Sequence, residues 1–208
     1  MGTTQTKNKR TIFTDRVRGW VSGILTPLGN ILYRLGVHPD MVTIFGLAVV
    51  AIGAIVIGRG MFHIGGLILL VALPLDAVDG AVARAMERKG KFGAILDSAM
   101  DRYADGFIFA ALSYYFAGHD QLNMMLISQA ALLGSLLVSY VRARAGGVRV
   151  DTKIGYFSRL ERVIVIIVML FVPSLLNWGV ILLAIGTHIT VIQRLWFVYD
   201  TLKDRGDS

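Results

Sequence analysis

The sequence predicts an all-α integral membrane protein with six transmembrane helices, preceded by an N-terminal amphipathic helix at the membrane interface. Three observations predict this fold class: 55% of the 208 residues are hydrophobic and only 17% are charged, the mean hydropathy is +0.63, and long apolar runs recur along the chain. A soluble domain carries about a quarter charged residues. The absence of cysteine excludes disulfides, thiol nucleophiles and Cys-ligated metals.

Six stretches are apolar enough to be membrane spans, since a span needs about 20 mostly apolar residues. Residues 12–38 instead mix arginines with apolar neighbours, which favours an amphipathic juxtamembrane helix, with a poor extra span as the alternative. We expect residues 1–11 to be a disordered cytosolic tail, residues 39–200 to be the six-helix domain and residues 201–208 to be a second cytosolic tail. The predicted spans are residues 40–58, 62–88, 93–117, 122–144, 158–172 and 175–199.

The basic residues predict the orientation in the membrane. With both termini on one side, that side and its helix ends hold nearly every Lys and Arg, and the opposite loops hold Arg59 alone. Because cytosolic loops carry the excess of Lys and Arg, we expect a multi-pass protein of the cell membrane with both termini in the cytosol. The same rule accounts for the net charge of +7, so we expect no nucleic-acid partner.

Four aspartates stand at helical spacing on two neighbouring predicted helices. Asp76 and Asp79 share one face of the second helix, and Asp97 and Asp101 share one face of the third. A tight basic loop joins the helices, so both faces lie near the cytosolic headgroup level and can converge. Carboxylates near lipid need a cation, and oxygen-only ligands suit Mg²⁺ or Mn²⁺, two of which could clamp a phosphoryl transfer. Alternatively, these acids pair with neighbouring arginines.

The aspartates belong to a longer motif. Asp76-x-x-Asp79-Gly80-x-x-Ala83-Arg84 is followed, after eight residues, by Gly93-x-x-x-Asp97-x-x-x-Asp101. At every position this motif resembles the signature of the CDP-alcohol phosphotransferase family, and the resemblance covers about residues 14–200. It implies a six-helix membrane enzyme, often a homodimer. Such an enzyme uses two divalent ions to join an alcohol to the phosphatidyl group of CDP-diacylglycerol, with release of CMP.

The same resemblance implies a role for each motif residue. The four aspartates would ligate Mg²⁺ or Mn²⁺, and Asp101 would also act as general base on the acceptor hydroxyl. One departure from the family is Gly90, where its members often have Ser or Thr. An ordinary helix N-cap at Asp40 is the alternative for that residue. The residues expected to bind CDP-diacylglycerol are Asp40 and Thr43, at the start of the first span, with Gly80, Ala83, Arg84 and Gly93.

Arginines outside the motif bear on the acceptor alcohol. Arg142, Arg159, Arg162 and Arg194 are predicted at about the depth of the aspartates, and an arginine cluster beside a metal site is a natural receptor for a second phosphate. Alternatively, some of them snorkel to lipid phosphates or pair with Glu161. The pattern resembles that of the actinobacterial phosphatidylinositol-phosphate synthases of the family, which implies inositol phosphate as the acceptor. Glycerol 3-phosphate or serine is the alternative acceptor.

Two other classes of function stay open on the residues alone. Intramembrane acids often mark ion paths, so a divalent-cation transporter is one alternative, although it predicts acids near mid-membrane with polar openings to both sides. A membrane scaffold whose acids pair with basic partners is the other, and it would tolerate Asp101→Asn. Asp105 follows Asp101 by one turn, and we expect it to support the site or to pair two helices.

Overall fold

The structure is a computed structural model and describes residues 36–72, 91–152 and 154–206 of the chain. The regular elements among these residues are all helical, with no strand, which confirms the all-α prediction for this part of the chain. All but the last three residues of the predicted amphipathic helix lie outside it. The helices are α1 (Pro39–Gly58), α2 (described over Phe62–Ala72), α3 (Lys91–Ala117), α4 (Leu122–Gly147), α5 (Arg159–Phe171) and α6 (Leu176–Asp204), with a 3₁₀ turn at Pro173–Leu175.

Glycine and proline set several helix ends. α1 begins at Pro39, because a proline lacks only an N–H that the first turn leaves unpaired anyway. Asp40 therefore lies inside the first turn rather than at the cap, which His38 occupies. After α1, Gly60 takes a φ of +80°, a conformation that favours glycine. α5 ends two residues before Pro173, which cannot continue a helix.

Three described helices, α1, α4 and α6, are long and apolar enough to cross a membrane. α3 has 27 residues but carries the charges of Asp97, Asp101, Arg102 and Asp105. α5 has 13 residues and is about 20 Å long, less than the roughly 30 Å hydrocarbon core. The protein is a membrane protein, and most of the described predicted site residues lie on α3 and α5 or near helix ends.

The chain forms two compact units. The first comprises residues 1–46 and 73–97, of which the beginnings of α1 and α3 are described, and the second comprises residues 47–72 and 98–208. Large apolar side chains from successive helices fill the core of the second unit, and their burial stabilises it. Its fully buried members include Ile57, Phe109, Leu112, Phe116, Ile166, Met169, Leu170 and Leu183.

Within the second unit, α4 is held to both α3 and α6 by contacts typical of membrane helices. Gly134 of α4 faces Thr187 of α6 so closely that a methyl group on the glycine would collide with the hydroxyl. Such small residues allow the close packing that associates helices in lipid. The amide of Gln129 on α4 donates to the Ser113 hydroxyl of α3 at 2.8 Å. The second of these contacts holds α3, the helix of the predicted general base, against α4.

Candidate functional site

In the first unit, two residues predicted to bind the nucleotide lie side by side. A methyl group built on Gly93, near the start of α3, would lie 3.7 Å from Oδ1 of Asp40 in the first turn of α1. The Asp40 carboxylate also lies 3.4 Å from Nδ1 of His38. Thr43 follows Asp40 by three residues, so both share one face of α1. Any side chain larger than hydrogen at Gly93 would narrow the space beside this carboxylate.

In the second unit, Asp101 lies among arginines. Its Oδ1 is 2.6 Å from Nη2 of Arg159 at the start of α5, and its Oδ2 is 3.9 Å from Nη1 of Arg102. Arg102 also donates to the backbone carbonyl of Ser98. The Asp101 side chain is 16% exposed, so its charge is partly removed from water and is stabilised by these cations.

The donor set present suits a hard divalent cation. Asp97 belongs to the first unit and Asp101 to the second, and each side chain offers only oxygen, which Mg²⁺ and Mn²⁺ prefer. The Asp101 carboxylate already lies beside the guanidinium groups of Arg159 and Arg102. Within the described ranges, no group of three or more His, Cys, Asp or Glu side chains could hold a metal ion. The other two predicted ligands, Asp76 and Asp79, lie outside the described residues, as do Gly80, Ala83 and Arg84.

Asp105 pairs α3 with α5. Its Oδ2 accepts a hydrogen bond of 2.8 Å from Nη2 of Arg162, and the two side chains are only 9% and 3% exposed. This confirms the helix-pairing alternative for Asp105. It also places Arg162, predicted to bind the acceptor phosphate, in the interior of the second unit rather than at its surface. Nε of Arg162 is buried and has no hydrogen-bond partner in the described part of the chain.

Arg194 ties α6 to its surroundings through backbone carbonyls. Its Nη1 donates to the Val138 carbonyl of α4 at 2.6 Å, and its Nε donates to the Ile154 carbonyl at 3.0 Å. One turn earlier, the Thr190 hydroxyl accepts a hydrogen bond of 3.0 Å from the Phe157 amide. The segment that leads into α5 is therefore held against α6 at two points, and α5 starts at a defined place.

Two of the acceptor arginines lie near a third. Arg142 and Arg162 lie close enough to Arg194 for their charges to repel its guanidinium. Arg142 is exposed, whereas Arg194 is buried. Glu161, expected in one alternative to pair with Arg142 or Arg194, instead accepts a hydrogen bond from the Ser158 hydroxyl. A positive region thus lies in the unit that also holds Asp101 and Arg159.

The sequence alone did not identify the partners of these buried groups. Arg162 was predicted from its position at the cytosolic end of a span, which gives no sign that Asp105, 57 residues away, neutralises it. Arg194 contacts main-chain carbonyls. Every residue has such a carbonyl, so the sequence cannot indicate which ones are contacted. One usable signal was the spacing: Asp105 follows Asp101 by four residues, and Arg162 follows Arg159 by three, so each pair shares a helix face.

Comparison with known proteins identifies the family of the chain. Residues 36–192 match the CDP-alcohol phosphatidyltransferase family. The phosphatidylinositol phosphate synthase of Streptomyces avermitilis is 35% identical over a region that covers 86% of this chain and 79% of that protein.

Two crystal structures of the phosphatidylinositol phosphate synthase of Mycobacterium tuberculosis, each 32% identical, are also similar. The one with CDP-DAG bound has a TM-score of 0.81 and covers 85% of this chain and 94% of the other. The one in complex with manganese and citrate has a TM-score of 0.80, with coverage of 84% and 88%. With the matched family region and this similarity, the chain belongs to the CDP-alcohol phosphatidyltransferase family and is a CDP-diacylglycerol-dependent phosphatidyltransferase.

Proposed function

We propose that this enzyme transfers the phosphatidyl group of CDP-diacylglycerol to a hydroxyl of inositol phosphate, giving phosphatidylinositol phosphate and CMP. The observation that carries the assignment of a phosphorylated acceptor is the 2.6 Å contact between Arg159 and Asp101. An arginine beside the general base can hold the acceptor's phosphate while the acceptor hydroxyl faces the carboxylate. The similarity to the Streptomyces avermitilis phosphatidylinositol phosphate synthase supports the same acceptor.

The four acceptor arginines divide into two groups by exposure. Arg142 is exposed and the Arg159 side chain is 38% exposed, whereas Arg162 and Arg194 are buried. We assign the binding of the acceptor phosphate to all four arginines. Because the Arg159 side chain is partly exposed, its guanidinium can also donate to a phosphate bound beside Asp101.

The transfer of the phosphatidyl group can be written with groups of this chain and its substrates alone. The acceptor oxygen forms a bond to the phosphorus of the phosphatidyl group, and the bond from that phosphorus to the CMP oxygen breaks. The acceptor proton passes to Asp101. CMP leaves with the electron pair of the broken bond. We assign the donor site to Asp40, Thr43, Gly80, Ala83, Arg84 and Gly93, a proposal that the proximity of Asp40 to Gly93 supports.

The enzyme uses a divalent cation, consistent with manganese in the related structure, and we propose two Mg²⁺ or Mn²⁺ ions held by Asp76, Asp79, Asp97 and Asp101. When bound, the ions would supply positive charge for the pyrophosphate oxygens. Asp97 and Asp101 would each offer carboxylate oxygens to the ions, and Asp101 would also accept the proton.

We also propose the arrangement in the membrane. All six predicted spans cross it, residues 12–38 lie at the interface as an amphipathic helix, and both termini and the site face the cytosol. The positive-inside distribution supports this orientation. Residues 39–200 form the catalytic domain between two cytosolic tails, and the enzyme acts as a homodimer in the cell membrane.

An acceptor panel tests the proposal. Purified enzyme with CDP-diacylglycerol and Mg²⁺ is given inositol phosphate, inositol, glycerol 3-phosphate or serine, and CMP release is measured. We expect CMP with inositol phosphate alone. Release with glycerol 3-phosphate or serine instead would overturn the acceptor assignment, and release with no alcohol at all would overturn the reaction.

Variants of two aspartates provide the matched control. Asp101→Asn should abolish CMP release, because the proton acceptor and one ligand charge are lost. The variant should still fold, because Asn keeps the shape of the side chain and can still accept a hydrogen bond from Arg159. Asp120→Asn removes a carboxylate from an exposed turn, where φ is +57°, a conformation that Asn tolerates. We expect it to keep full activity. An active Asp101→Asn variant would contradict the role of this residue.

A further inference from the structure

The segment that leads into α5 comprises residues 154–158, and we call it the strap. These residues form neither helix nor strand, so contacts with neighbouring elements must fix their position. α5 begins directly after the strap at Arg159, and the Arg162 amide donates to the Ser158 carbonyl of the strap at 3.2 Å. Two of the acceptor arginines, Arg159 and Arg162, therefore take their places from the strap.

Thr190 of α6 holds the strap with both parts of its side chain. Its hydroxyl accepts a hydrogen bond of 3.0 Å from the Phe157 amide and donates one of 2.9 Å to the Gly186 carbonyl of its own helix. Its methyl group lies so close to Gly155 that a Cβ there would collide with it. Thr190 is fully buried, so water cannot replace either contact. One side chain thus fixes the strap at two residues, Gly155 and Phe157.

The Phe157 ring anchors the strap one turn away on α6. A methyl group on Gly186 would collide with this ring, and the ring packs against the core of the second unit. Gly186 and Thr190 are four residues apart, so the ring and the amide of Phe157 meet the same face of α6. Apolar packing is non-directional, whereas a hydrogen bond weakens steeply when its angle changes. The ring therefore holds the strap close, and the Thr190 hydroxyl sets its register along α6.

A shift of the strap would reach the acceptor site within two residues. Phe157 precedes Arg159 by two positions, and the Arg159 guanidinium lies 2.6 Å from the carboxylate of Asp101. The Arg162 guanidinium lies 2.8 Å from the carboxylate of Asp105, which is also on α3. Because both arginines reach from the first turn of α5 to α3, a displaced start of α5 would move both guanidinium groups relative to the general base.

We propose that Thr190 is a positioning residue for the acceptor. Its hydroxyl and methyl group fix the strap, and the strap places Arg159 and Arg162 where both can bind the acceptor phosphate beside Asp101. Thr190 acts through these arginines, because its own hydroxyl is already engaged as donor and as acceptor. The inference rests on the proposed function for the task of the arginines, the binding of the acceptor phosphate.

Thr190→Val tests the contribution of the hydroxyl. Valine keeps the methyl group and nearly the shape of threonine, but it leaves the Phe157 amide without its partner. The KM for inositol phosphate should rise about 10- to 100-fold, since a misplacement of about 1 Å can have an effect of this size. The kcat at saturating inositol phosphate should change far less, because losing an interaction that is equally strong in the ground and transition states raises KM alone.

The donor substrate provides an internal control in the same assay. The described residues of the proposed donor site, Asp40, Thr43 and Gly93, belong to the first unit, whereas Thr190 and the strap belong to the second. The KM for CDP-diacylglycerol should therefore stay at the wild-type value in Thr190→Val. An equal rise in the KM of both substrates would contradict the proposal, because it would indicate a general disturbance of the enzyme.

Serine and alanine at position 190 separate the hydroxyl from the packing. Thr190→Ser keeps the hydroxyl and loses the methyl group, and Thr190→Ala loses both. If the hydroxyl sets the register, the acceptor KM should stay close to the wild type in Thr190→Ser and rise in Thr190→Ala. A purely structural role would instead make KM follow the melting temperature. A serine variant with a KM as high as that of Thr190→Val would refute the proposal. If Thr190→Val does not fold, the serine and alanine variants decide the question.

Thr201→Val is the matched control on the same helix. The Thr201 hydroxyl donates to the Phe197 carbonyl at 2.7 Å, a hydrogen bond within α6. The same substitution at this position should leave both KM values at the wild-type level. A rise in the acceptor KM equal to that of Thr190→Val would show that loss of any hydroxyl from α6 is sufficient, and the proposal would fail.

A second background shows whether Thr190 acts through the arginines. Arg159→Gln alone should raise the acceptor KM. Adding Thr190→Val to Arg159→Gln should multiply the KM by a smaller factor than in the wild type, because one of the two groups that the strap places is already gone. Equal factors in the two backgrounds would overturn the proposal, as would an unchanged acceptor KM in a folded Thr190→Val protein.

The wild-type enzyme distinguishes failure of this inference from failure of the proposed function. Turnover with inositol phosphate, together with an unchanged acceptor KM in the folded Thr190 variants, would refute the positioning role alone. Turnover with glycerol 3-phosphate but not with inositol phosphate would refute the proposed acceptor alone, and the same variants should then show the rise in KM for glycerol 3-phosphate. Turnover only with an unphosphorylated alcohol would refute both, because the arginines would have no acceptor phosphate to bind.

Discussion

The contact between α4 and α6 at Gly134 can be tested with one methyl group. A Cβ on Gly134 would lie 2.8 Å from Cβ of Thr187 and 2.8 Å from Nδ1 of His188, and it would collide with the Thr187 hydroxyl. Thr187 cannot turn away freely, because its hydroxyl donates to the Leu183 carbonyl at 2.7 Å and its Cβ is attached to the helix backbone. Gly134→Ala must therefore push the two helices apart.

The expected loss of stability follows from two opposing effects. Overpacking a close contact destabilises a protein by about 1–3 kcal/mol. Alanine in place of a helical glycine stabilises the helix by about 0.5–1 kcal/mol. Since a Cβ atom rather than a flexible chain end is in the way, we expect a net loss of about 1–2 kcal/mol. At about 2–4 °C per kcal/mol, the melting temperature in detergent should fall measurably.

Gly146→Ala is the matched control for this prediction. Gly146 is on the same helix, and a methyl group there would meet no described atom within 4 Å. Only the stabilisation from alanine in place of a helical glycine should apply. This variant should therefore melt at or slightly above the wild-type temperature. A Gly134→Ala protein as stable as Gly146→Ala would refute the close packing of α4 against α6.

Three further predictions concern the segment before α5 and the metal. Arg194→Gln removes the hydrogen bonds to the Val138 and Ile154 carbonyls; it should destabilise the protein by about 1–3 kcal/mol in thermal melts and raise the acceptor KM, and unchanged values of both would contradict this. Gly155→Ala places a side chain at φ +118°, against the Thr190 methyl group, and should cost about 1–3 kcal/mol in the same melts, whereas Gly147→Ala, in open space, should not. Chelation with EDTA should stop CMP release and added Mg²⁺ or Mn²⁺ should restore it, whereas full activity in EDTA would contradict metal dependence.

The positions of the described helices followed closely from the sequence. Predicted spans over residues 40–58 and 122–144 correspond to α1 and α4, which begin within one residue of the prediction. Long apolar runs and the breaks between them carry this information locally, and Pro173 stops a helix by its own covalent geometry. The prediction was less accurate at the C-terminal ends of α4 and α6, which continue by three and five residues beyond the predicted ends at residues 144 and 199.

Side-chain partners were harder to predict than helices. Asp105 carries one negative charge that several arginines could neutralise, and only the packing of α5 on α3 selects Arg162. Likewise, Arg194 binds two carbonyls, and every residue has a carbonyl. Spacing along one helix was informative because it depends on helix geometry alone, whereas contacts between helices depend on the whole fold.

The most direct test of the central claim is the mass of the lipid product. Wild-type enzyme is incubated with CDP-diacylglycerol, Mg²⁺ and inositol phosphate, and the extracted lipid is analysed by mass spectrometry. We expect a lipid that retains both the phosphatidyl phosphate and the acceptor's phosphate. It should form in equal amount to CMP and be absent with Asp101→Asn. CMP accompanied by phosphatidic acid, or a lipid that lacks the acceptor's phosphate, would contradict it.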